Sequence, residues 1–413
     1  MQQEHVYVQD ANGEPLMPTK RFGAVRRWLK SGRAVAVSRE PFTIRLVDRK
    51  GGYVQPVEAG IDLGTGHVGV SIISETEELF AGEFILRSDI SKLLTDRRMF
   101  RRSRRGRKLR YRPPRFLNRK HQDELAPSVR AKVDETLKII DLIVSMLPVT
   151  HWTFESGNFD PHRLANPDVT DTGYQQGEQY GFANVREYVL HRDRHTCQNP
   201  KCAKIDPILT VHHIRSRGTE GSDRPANLLT LCRICHREHH NGQPLQLKAP
   251  PSLRAATQFN VLKSSIIRAT THLNRDVTFG YITKSRRIAL ALSKSHVNDA
   301  FVIAGGTDQQ RTNVQYLGQF FRRQNRKLRK GARSHIRNTI PHAFGFKRGD
   351  RVRLPDGREC FIFGLRSSGQ FDVRKLIGEV LSHSISYKKL YRLERAKTLR
   401  IEKIGGVALS SPR

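Results

Sequence analysis

Apolar positions near the start of this 413-residue chain recur with the periods of strands and helices. Residues 5–8 and 42–47 predict two strands, and residues 24–29 predict a short helix. The tetrapeptide at 15–18, Pro-Leu-Met-Pro, predicts a rigid loop. Together these elements predict a small separate module over residues 1–55.

Two further strands are predicted over residues 60–65 and 68–73, and they would meet in a hairpin with Asp62 at its start. A carboxylate on a central strand, beside glycines that let a backbone approach closely, can hold a divalent cation. The alternative is that Asp62 only caps the turn at residues 64–66.

A helix is predicted over residues 127–147, where apolar residues recur at three- and four-residue steps after a Pro127 that suits a first turn. The residues of this stripe, which should face a core, are Val129, Val133, Leu137, Ile140, Val144 and Leu147. A strand over residues 151–155 then places Glu155 at its end, where a solvated turn residue is the alternative.

Residues 295–304 have helical spacing, which puts His296 and Asp299 one turn apart on the same face. In one interpretation Ser295 caps this helix and Asp299 is a surface acid. However, an acid among apolar neighbours is disfavoured unless it is paired or bound to a metal.

Four of the five cysteines cluster in the middle of the chain. They form two pairs separated by 29 residues, Cys197 with Cys202 and Cys232 with Cys235. This spacing is typical of a zinc site, and such clustering within a long basic chain favours metal binding over disulfides.

Histidines lie between and beside these cysteine pairs. Residues 210–214 predict a strand that carries His212 and His213, Asn227 lies in the following loop, and His236 opens a helix. One interpretation is a structural finger whose histidines belong to the zinc site. Because four cysteines already complete a tetrahedral site, a second centre built from the histidines is favoured.

Composition adds a polyanionic partner to this picture. The chain holds 73 Lys and Arg against 39 Asp and Glu, a net charge of +34, which predicts nucleic acid binding. Its length allows about two to four domains. Neither an apolar signal core nor a run of 18 apolar residues occurs, so we expect a soluble cytoplasmic protein with no membrane partner.

Residues 97–119 hold eleven arginines, one lysine and no acid. A solvated helix would normally carry acids among its arginines, so this segment predicts a helix to about Arg110 and an extended stretch that contact phosphates. The proposed contacts are Arg97, Arg98, Arg101, Arg102, Arg104, Arg105, Arg107, Lys108, Arg110, Arg112, Arg115 and Arg119.

The C-terminal region is basic again, and residues 319–338 contain no acid. Four of its cations are further candidate nucleic-acid contacts: Arg322, Arg323, Arg326 and Lys327. Short strands from residue 348 onward predict a small β-barrel. Cys360 lies in an apolar strand and is predicted to be simply buried.

The order of strand Asp62, strand Glu155 and helical His296 and Asp299 resembles the RuvC-type branch of the RNase H fold. The resemblance implies that the three carboxylates hold two Mg²⁺ ions and that His296 is a ligand or a proton shuttle. Asp299 follows Asp62 by 237 positions, which exceeds what this fold needs and indicates an insertion.

The inserted segment resembles the HNH, or ββα-metal, endonuclease motif. By that resemblance His212 is a metal ligand, His213 is the general base on water, Asn227 orients the loop, and His236 is the second residue on the Mg²⁺ side. The four cysteines would hold a structural Zn²⁺.

The whole chain resembles the IscB family of transposon-encoded, RNA-guided DNA nucleases, whose N-terminal module is named for the Pro-Leu-Met-Pro tetrapeptide. The fold class implied is α/β multidomain, with an RNase H-like core split by an Arg-rich bridge helix and the HNH insertion. The implied divisions are an N-terminal module (1–55), RuvC segments (56–88, 121–160 and 243–318), a bridge helix (89–120), a linker (161–182), an HNH unit (183–242) and a basic C-terminal domain (319–413).

The resemblance implies a monomeric ribonucleoprotein, prokaryotic and associated with the nucleoid when on target, in which a guide RNA with a long structured scaffold selects double-stranded DNA beside a short adjacent motif. HNH would cut the RNA-paired strand and RuvC the displaced strand. Three alternatives remain: an RNA-independent junction resolvase, an RNA-guided binder that does not cleave, and a chromatin-like architectural protein.

Overall fold

The computed structural model divides into two compact units, one comprising Met1–His121, Ala126–Asn158 and Leu262–Arg413, and the other Gln122–Leu125 and Phe159–Val261. The residues that the structure describes are 5–106, 124–156, 173, 184–202, 208–219, 223–242, 254–321 and 342–405.

The N-terminal residues form a four-stranded sheet in the order β2-β1-β4-β3, with one helix. Its elements are β1 (Val6–Gln9), β2 (Pro15–Thr19), α1 (Phe22–Lys30), β3 (Ala34–Ser38) and β4 (Thr43–Leu46). The predicted loop at 15–18 is wrong, because these residues form β2, with Leu16 opposite Val8 and Pro15 opposite Gln9. Prolines are tolerated there because β2 is an edge strand, so its outer side needs no backbone donors.

Two antiparallel hairpins follow, and they start the largest sheet. The next elements along the chain are β5 (Glu58–Leu63), β6 (His67–Ile73), β7 (Glu78–Ile85), α2 (Ile90–Gly106), α3 (Pro127–Met146) and β8 (His151–Ser156). Nearly every residue of β5, β6 and β7 is buried, so these strands lie at the centre of the core. The predicted hairpin around Asp62 and the predicted strand ending near Glu155 are both present.

The buried face of α3 differs from the predicted stripe at two positions. Thr136 and Ile143 are buried, whereas Val144 is exposed and Leu137 only half-buried. Thr136 can be buried because its hydroxyl donates a 2.9 Å hydrogen bond to the Lys132 carbonyl within the helix. A polar residue thus occupies a core position that the apolar pattern skipped.

The second unit contains a hairpin and two short helices: α4 (Val185–Arg192), β9 (Leu209–His213), β10 (Leu228–Cys232) and α5 (Arg233–His240). Asn184 caps α4 by accepting a hydrogen bond from the Glu187 amide. The strands pair antiparallel with His212 opposite Leu229. The unit therefore has the strand, strand, helix order predicted for residues 209–240.

The chain then returns to the large sheet through α6 (Arg254–Ala269), β11 (Arg275–Phe279), α7 (Gly280–Ala289), α8 (His296–Ile303) and β12 (Val314–Phe320). Ser295 caps α8 by accepting from the Asn298 amide, as one of the two interpretations of this segment expected. Strand β8 runs parallel to both β5 and β11, so the carboxyl ends of these three strands share one edge of the sheet.

The C-terminal residues form short strands: β13 (His342–Ala343), β14 (Phe346–Lys347), β15 (Arg351–Arg353), β16 (Glu359–Gly364), β17 (Gln370–Arg374), β18 (Val380–Ser386), β19 (Tyr391–Glu394) and β20 (Leu399–Gly405). Five of them form a sheet in the order β18-β17-β16-β15-β19. Among the described strands this order is open at both ends, so the predicted small β-barrel stays a prediction. Cys360 is buried in β16, as predicted.

Strand β20 completes the large sheet, whose order is β11-β8-β5-β6-β7-β12-β20. In the part of the chain that the structure describes, no helix is long and apolar enough to cross a membrane.

Candidate functional site

Asp62 and Glu155 end two neighbouring strands at the same edge of the large sheet. Ile61 of β5 lies opposite Phe154 of β8, so the residues that follow them, Asp62 and Glu155, come side by side. Asp62 is buried, and its Oδ2 lies 2.6 Å from Nδ1 of His296. That hydrogen bond is the largest cause of a pKa of His296 above its usual value. Asp62 therefore pairs with His296 of α8 and does more than cap the turn at 64–66.

Two glycines let α8 lie directly against the sheet. A Cβ at Gly60 would stand 2.0 Å from the Ala300 carbonyl oxygen, and a Cβ at Gly69 would stand 2.1 Å from the His296 carbonyl oxygen. Gly69 is also the cross-strand partner of Asp62. Gly69 thus brings the start of α8 to β6, next to Asp62 on β5, and Gly60 brings the end of α8 to β5.

Glu155 is half-buried rather than a solvated turn residue. Burial raises the pKa of its carboxyl, a hydrogen bond from the Thr283 hydroxyl lowers it, and the charges of Asp62 and Asp299 raise it further. The same three carboxylates therefore repel one another, and a bound cation would relieve that repulsion.

Asp299 is also not a surface acid. Its side chain is 17% exposed, and its Oδ1 lies 2.7 Å from Nε of Arg287 on α7. Burial raises the pKa of Asp299, and so does Asp62, whereas Arg287 lowers it. We call Asp62, Glu155, His296 and Asp299 the sheet site.

The oxygen-rich donor set of the sheet site suits Mg²⁺, which prefers carboxylates and water. Among the described residues, His67, Glu83 and His296 form a group whose ligand atoms all lie within 4.8 Å of one another. The three carboxylates of the sheet site do not form such a group.

The second unit brings histidines together at the junction of β9 and α5. His212 lies within 4.8 Å, between ligand atoms, of His236 and His240, and its ring centroid is 4.7 Å from that of His239. Burial, together with the neighbouring histidines, lowers the pKa of His212 to about 4. His212 is therefore neutral at pH 7, the form in which imidazole binds metals.

His240 is a candidate ligand that the sequence reasoning missed. It follows His236 by four residues on α5, so both rings lie on one face, with centroids 4.6 Å apart. The His-x3-His spacing was the signal that could have identified it. We call His212, His213, Asn227, His236 and His240 the insert site.

His213 does not join the histidine cluster, because successive side chains of a strand point to opposite faces. Its Nε2 lies 2.7 Å from Oδ1 of Asp223, and the same oxygen lies 2.8 Å from Nε of Arg217. Since a carboxylate can only accept, Nε2 carries the proton and Nδ1 is left as the basic nitrogen.

Asn227 ties the segment after β9 to the segment before β10. Its Oδ1 accepts from the Arg215 amide and its Nδ2 donates to the Arg215 carbonyl, both at 2.9 Å. This reciprocal pair fixes the backbone just beyond His213, which agrees with an orienting role.

The four cysteines of the second unit form one cluster with all sulfur atoms within 4.8 Å of one another. Sγ of Cys202 lies 3.9 Å from Sγ of Cys232. A tetrahedral zinc with bonds of about 2.3 Å has sulfur atoms roughly 3.8 Å apart, so the spacing fits. Asn199 donates to Sγ of Cys235 at 3.3 Å. Burial raises the pKa of the Cys235 thiol to about 12, which favours the protonated thiol. A bound cation would favour the thiolate instead.

Helix α2 presents part of the predicted arginine-rich segment to solvent. Arg97, Arg98, Arg101 and Arg102 are exposed. The side chains of Arg104 and Arg105 lie outside the described residues, as do Arg107, Lys108, Arg110, Arg112, Arg115, Arg119, Arg322, Arg323, Arg326 and Lys327.

Residues 6–177 match the family model for RRXRR proteins, and residues 195–242 match the model for HNH endonucleases. A comparison with curated proteins gave no match. Among solved structures, the type II-C Cas9 enzyme from Actinomyces naeslundii is 13% identical over 61% of this chain and 60% of its own, at a TM-score of 0.23. The type IV phosphorothioation-dependent restriction endonuclease ScoMcrA is 20% identical over 38% of this chain and 26% of its own, at a TM-score of 0.13.

Proposed function

We propose that this chain, an HNH endonuclease of the IscB and Cas9 kind, is an RNA-guided nuclease that cuts both strands of duplex DNA. One observation carries the proposal: a single chain of net charge +34 holds two separate metal-suited centres, each in its own compact unit. Two cutting centres suit a substrate with two strands, and the charge suits nucleic acid.

The sheet site is proposed to be a RuvC-type centre. In support, strands β7, β6, β5, β8 and β11 adjoin in that order, with three antiparallel strands followed by two parallel ones, as in the RNase H fold. Asp62, Glu155 and Asp299 would hold two Mg²⁺ ions, which when bound activate a water and stabilise the leaving oxygen. His296 is placed by Asp62 to move a proton near the same phosphate.

The insert site is proposed to be the HNH centre. His212, His236 and His240 would hold one divalent cation, and the lowered pKa values of His212 and His236 favour the neutral rings that bind metals. His213 accepts the proton of the attacking water at Nδ1, because Asp223 holds the other proton at Nε2. Asn227 keeps the neighbouring backbone in place. The cysteine cluster would hold a structural Zn²⁺ that stabilises the fold of the unit.

The partners are proposed to be a guide RNA with a structured scaffold and a duplex with a short adjacent motif. The exposed arginines of α2 would contact phosphates, which position the nucleic acid without reading its sequence. RNA pairing would select the site, the HNH centre would cut the paired strand, and the RuvC-type centre the displaced strand.

Strand-resolved cleavage tests this division. Asp62→Ala should leave only the paired-strand cut and His213→Ala only the displaced-strand cut, in a Mg²⁺-containing assay with either strand labelled. Asp308→Ala, which changes an exposed acid of the first unit, is the matched control and should cut both strands. Loss of both cuts from either substitution would refute the division of labour.

RNA that stays bound through a high-salt wash tests the guidance. A single abundant species with a variable end is expected from protein expressed with its native flanking DNA. Only degraded cellular RNA would favour the unguided resolvase, whereas duplex binding without Mg²⁺-dependent cutting would favour the binder.

A further inference from the structure

A second histidine and carboxylate lie beside the sheet site with no part in the function proposed above. His67 begins β6 and Glu83 lies on β7, and Nδ1 of His67 is 2.6 Å from Oε1 of Glu83. The Glu83 side chain is only 10% exposed, whereas that of His67 is 43% exposed. Glu83 therefore anchors one nitrogen of an imidazole that otherwise faces outward.

The His67 ring lies flat against His296. Their ring centroids are 5.3 Å apart and their planes differ by 6°. His296 in turn holds Asp62 through its own Nδ1, at 2.6 Å. Two histidines thus stand side by side, each fixed at Nδ1 by a different carboxylate.

His296 needs such a support for a geometric reason. Gly69 brings the backbone of His296 to the sheet, but this contact leaves the two side-chain torsions free. The hydrogen bond to Asp62 restrains one ring atom, and in the proposed function the same carboxylate also binds a cation. The His296 side chain is 33% exposed, and the His67 ring lies parallel to its plane, where it can restrain the orientation of that plane.

We infer that His67 is a positioning residue for His296, and that its ring holds the His296 imidazole in the orientation used for cutting the displaced strand. The consequence for cutting rests on the proposed function, whereas the contact between the rings does not. Losing the interaction free energy of such a ring contact is expected to slow the reaction about three- to tenfold.

Two variants of His67 separate a restraining ring from any other role. His67→Ala removes the ring, whereas His67→Phe keeps a flat ring but cannot bind Glu83 or a metal ion. We expect His67→Ala to slow the displaced-strand cut about three- to tenfold and His67→Phe to recover most of the loss, with the paired-strand cut unchanged in both. The paired-strand cut reports folding and assembly within the same molecule.

A readout without cleavage tests the contact directly. Carbethoxylation of His296, followed by peptide mass spectrometry on the full chain, should be about threefold faster in His67→Ala than in the unsubstituted protein or in His67→Phe. Equal modification rates in all three proteins would overturn the inference. Equal loss of displaced-strand cutting in both variants would also overturn the inference. It would mean that His67 acts through its hydrogen bond to Glu83 or by binding a metal ion together with Glu83 and His296. Absence of displaced-strand cutting in the unsubstituted protein would count against the proposed function alone, since the modification rates still decide the role of His67.

Discussion

Replacing Gly69 by alanine should disable the sheet site without replacing any of its side chains. The added Cβ would stand 2.1 Å from the His296 carbonyl oxygen and 2.5 Å from its carbonyl carbon, whereas ordinary contact begins at 3.4 Å. Both partners are backbone, so α8 must move away from β6 by about 1 Å. Such overpacking typically costs about 1–3 kcal/mol, and a shift of about 1 Å at a reacting group can slow a reaction on the order of 100-fold.

The assay is strand-resolved cleavage by the assembled complex, with thermal unfolding measured in parallel. Gly69→Ala should cut the displaced strand about 100-fold more slowly while the paired-strand cut keeps its rate. Gly66→Ala is the matched control, because a Cβ there meets nothing within 4 Å. If Gly69→Ala cuts the displaced strand as fast as Gly66→Ala, then the position of α8 on the sheet does not set the geometry of the centre.

Three other outcomes follow from contacts in the two units. Glu155→Gln should raise the melting temperature of the metal-free protein near pH 7 by about 2–4 °C, on the order of 1 kcal/mol, because burial raises the pKa of this carboxyl and its ionisation therefore costs stability. The gain should disappear below the ordinary carboxyl pKa of 4.5, where native and unfolded chains are both protonated. Cys232→Ser should lose the single zinc that elemental analysis is expected to find in the unsubstituted chain, whereas Cys360→Ala should keep it. Asn227→Ala should destabilise the second unit by about 1–3 kcal/mol in thermal unfolding and slow the paired-strand cut, and an unchanged melting curve would show that its two hydrogen bonds carry little stability.

Elements with one clear period could be predicted from the sequence. Strands β5 and β6 and helix α8 have such periods, and the position of Asp62 near a hairpin follows from them. The stripe of α3 was wrong at Leu137 and Val144, and it left out the buried Thr136, whose hydroxyl is satisfied inside the helix, which hydropathy alone does not show. The loop predicted at 15–18 was wrong because the position of a strand at a sheet edge is a tertiary property.

The candidate sites could be located, but their supporting contacts could not. The ion pair between Arg287 and Asp299 joins two helices, and the bond between His67 and Glu83 depends on the register of β6 against β7. Neither the packing of these two helices nor the register of these two strands can be read from the sequence. Strand alternation predicts that His212 and His213 point to opposite faces. The contact between His213 and Asp223 is a tertiary contact, which the sequence does not show.

The place of the second unit in the chain has an evolutionary consequence. Apart from Gln122–Leu125, its residues lie within the connection from β8 to β11, two strands that are direct parallel neighbours in the large sheet. A parallel pair needs a crossover of a dozen or more residues, and the 13 residues from 262 to 274, which belong to the first unit and include the end of α6, meet that need. An ancestor could therefore have acquired the insert in an existing crossover without changing one pairing of the sheet, and a descendant could exchange it in the same way.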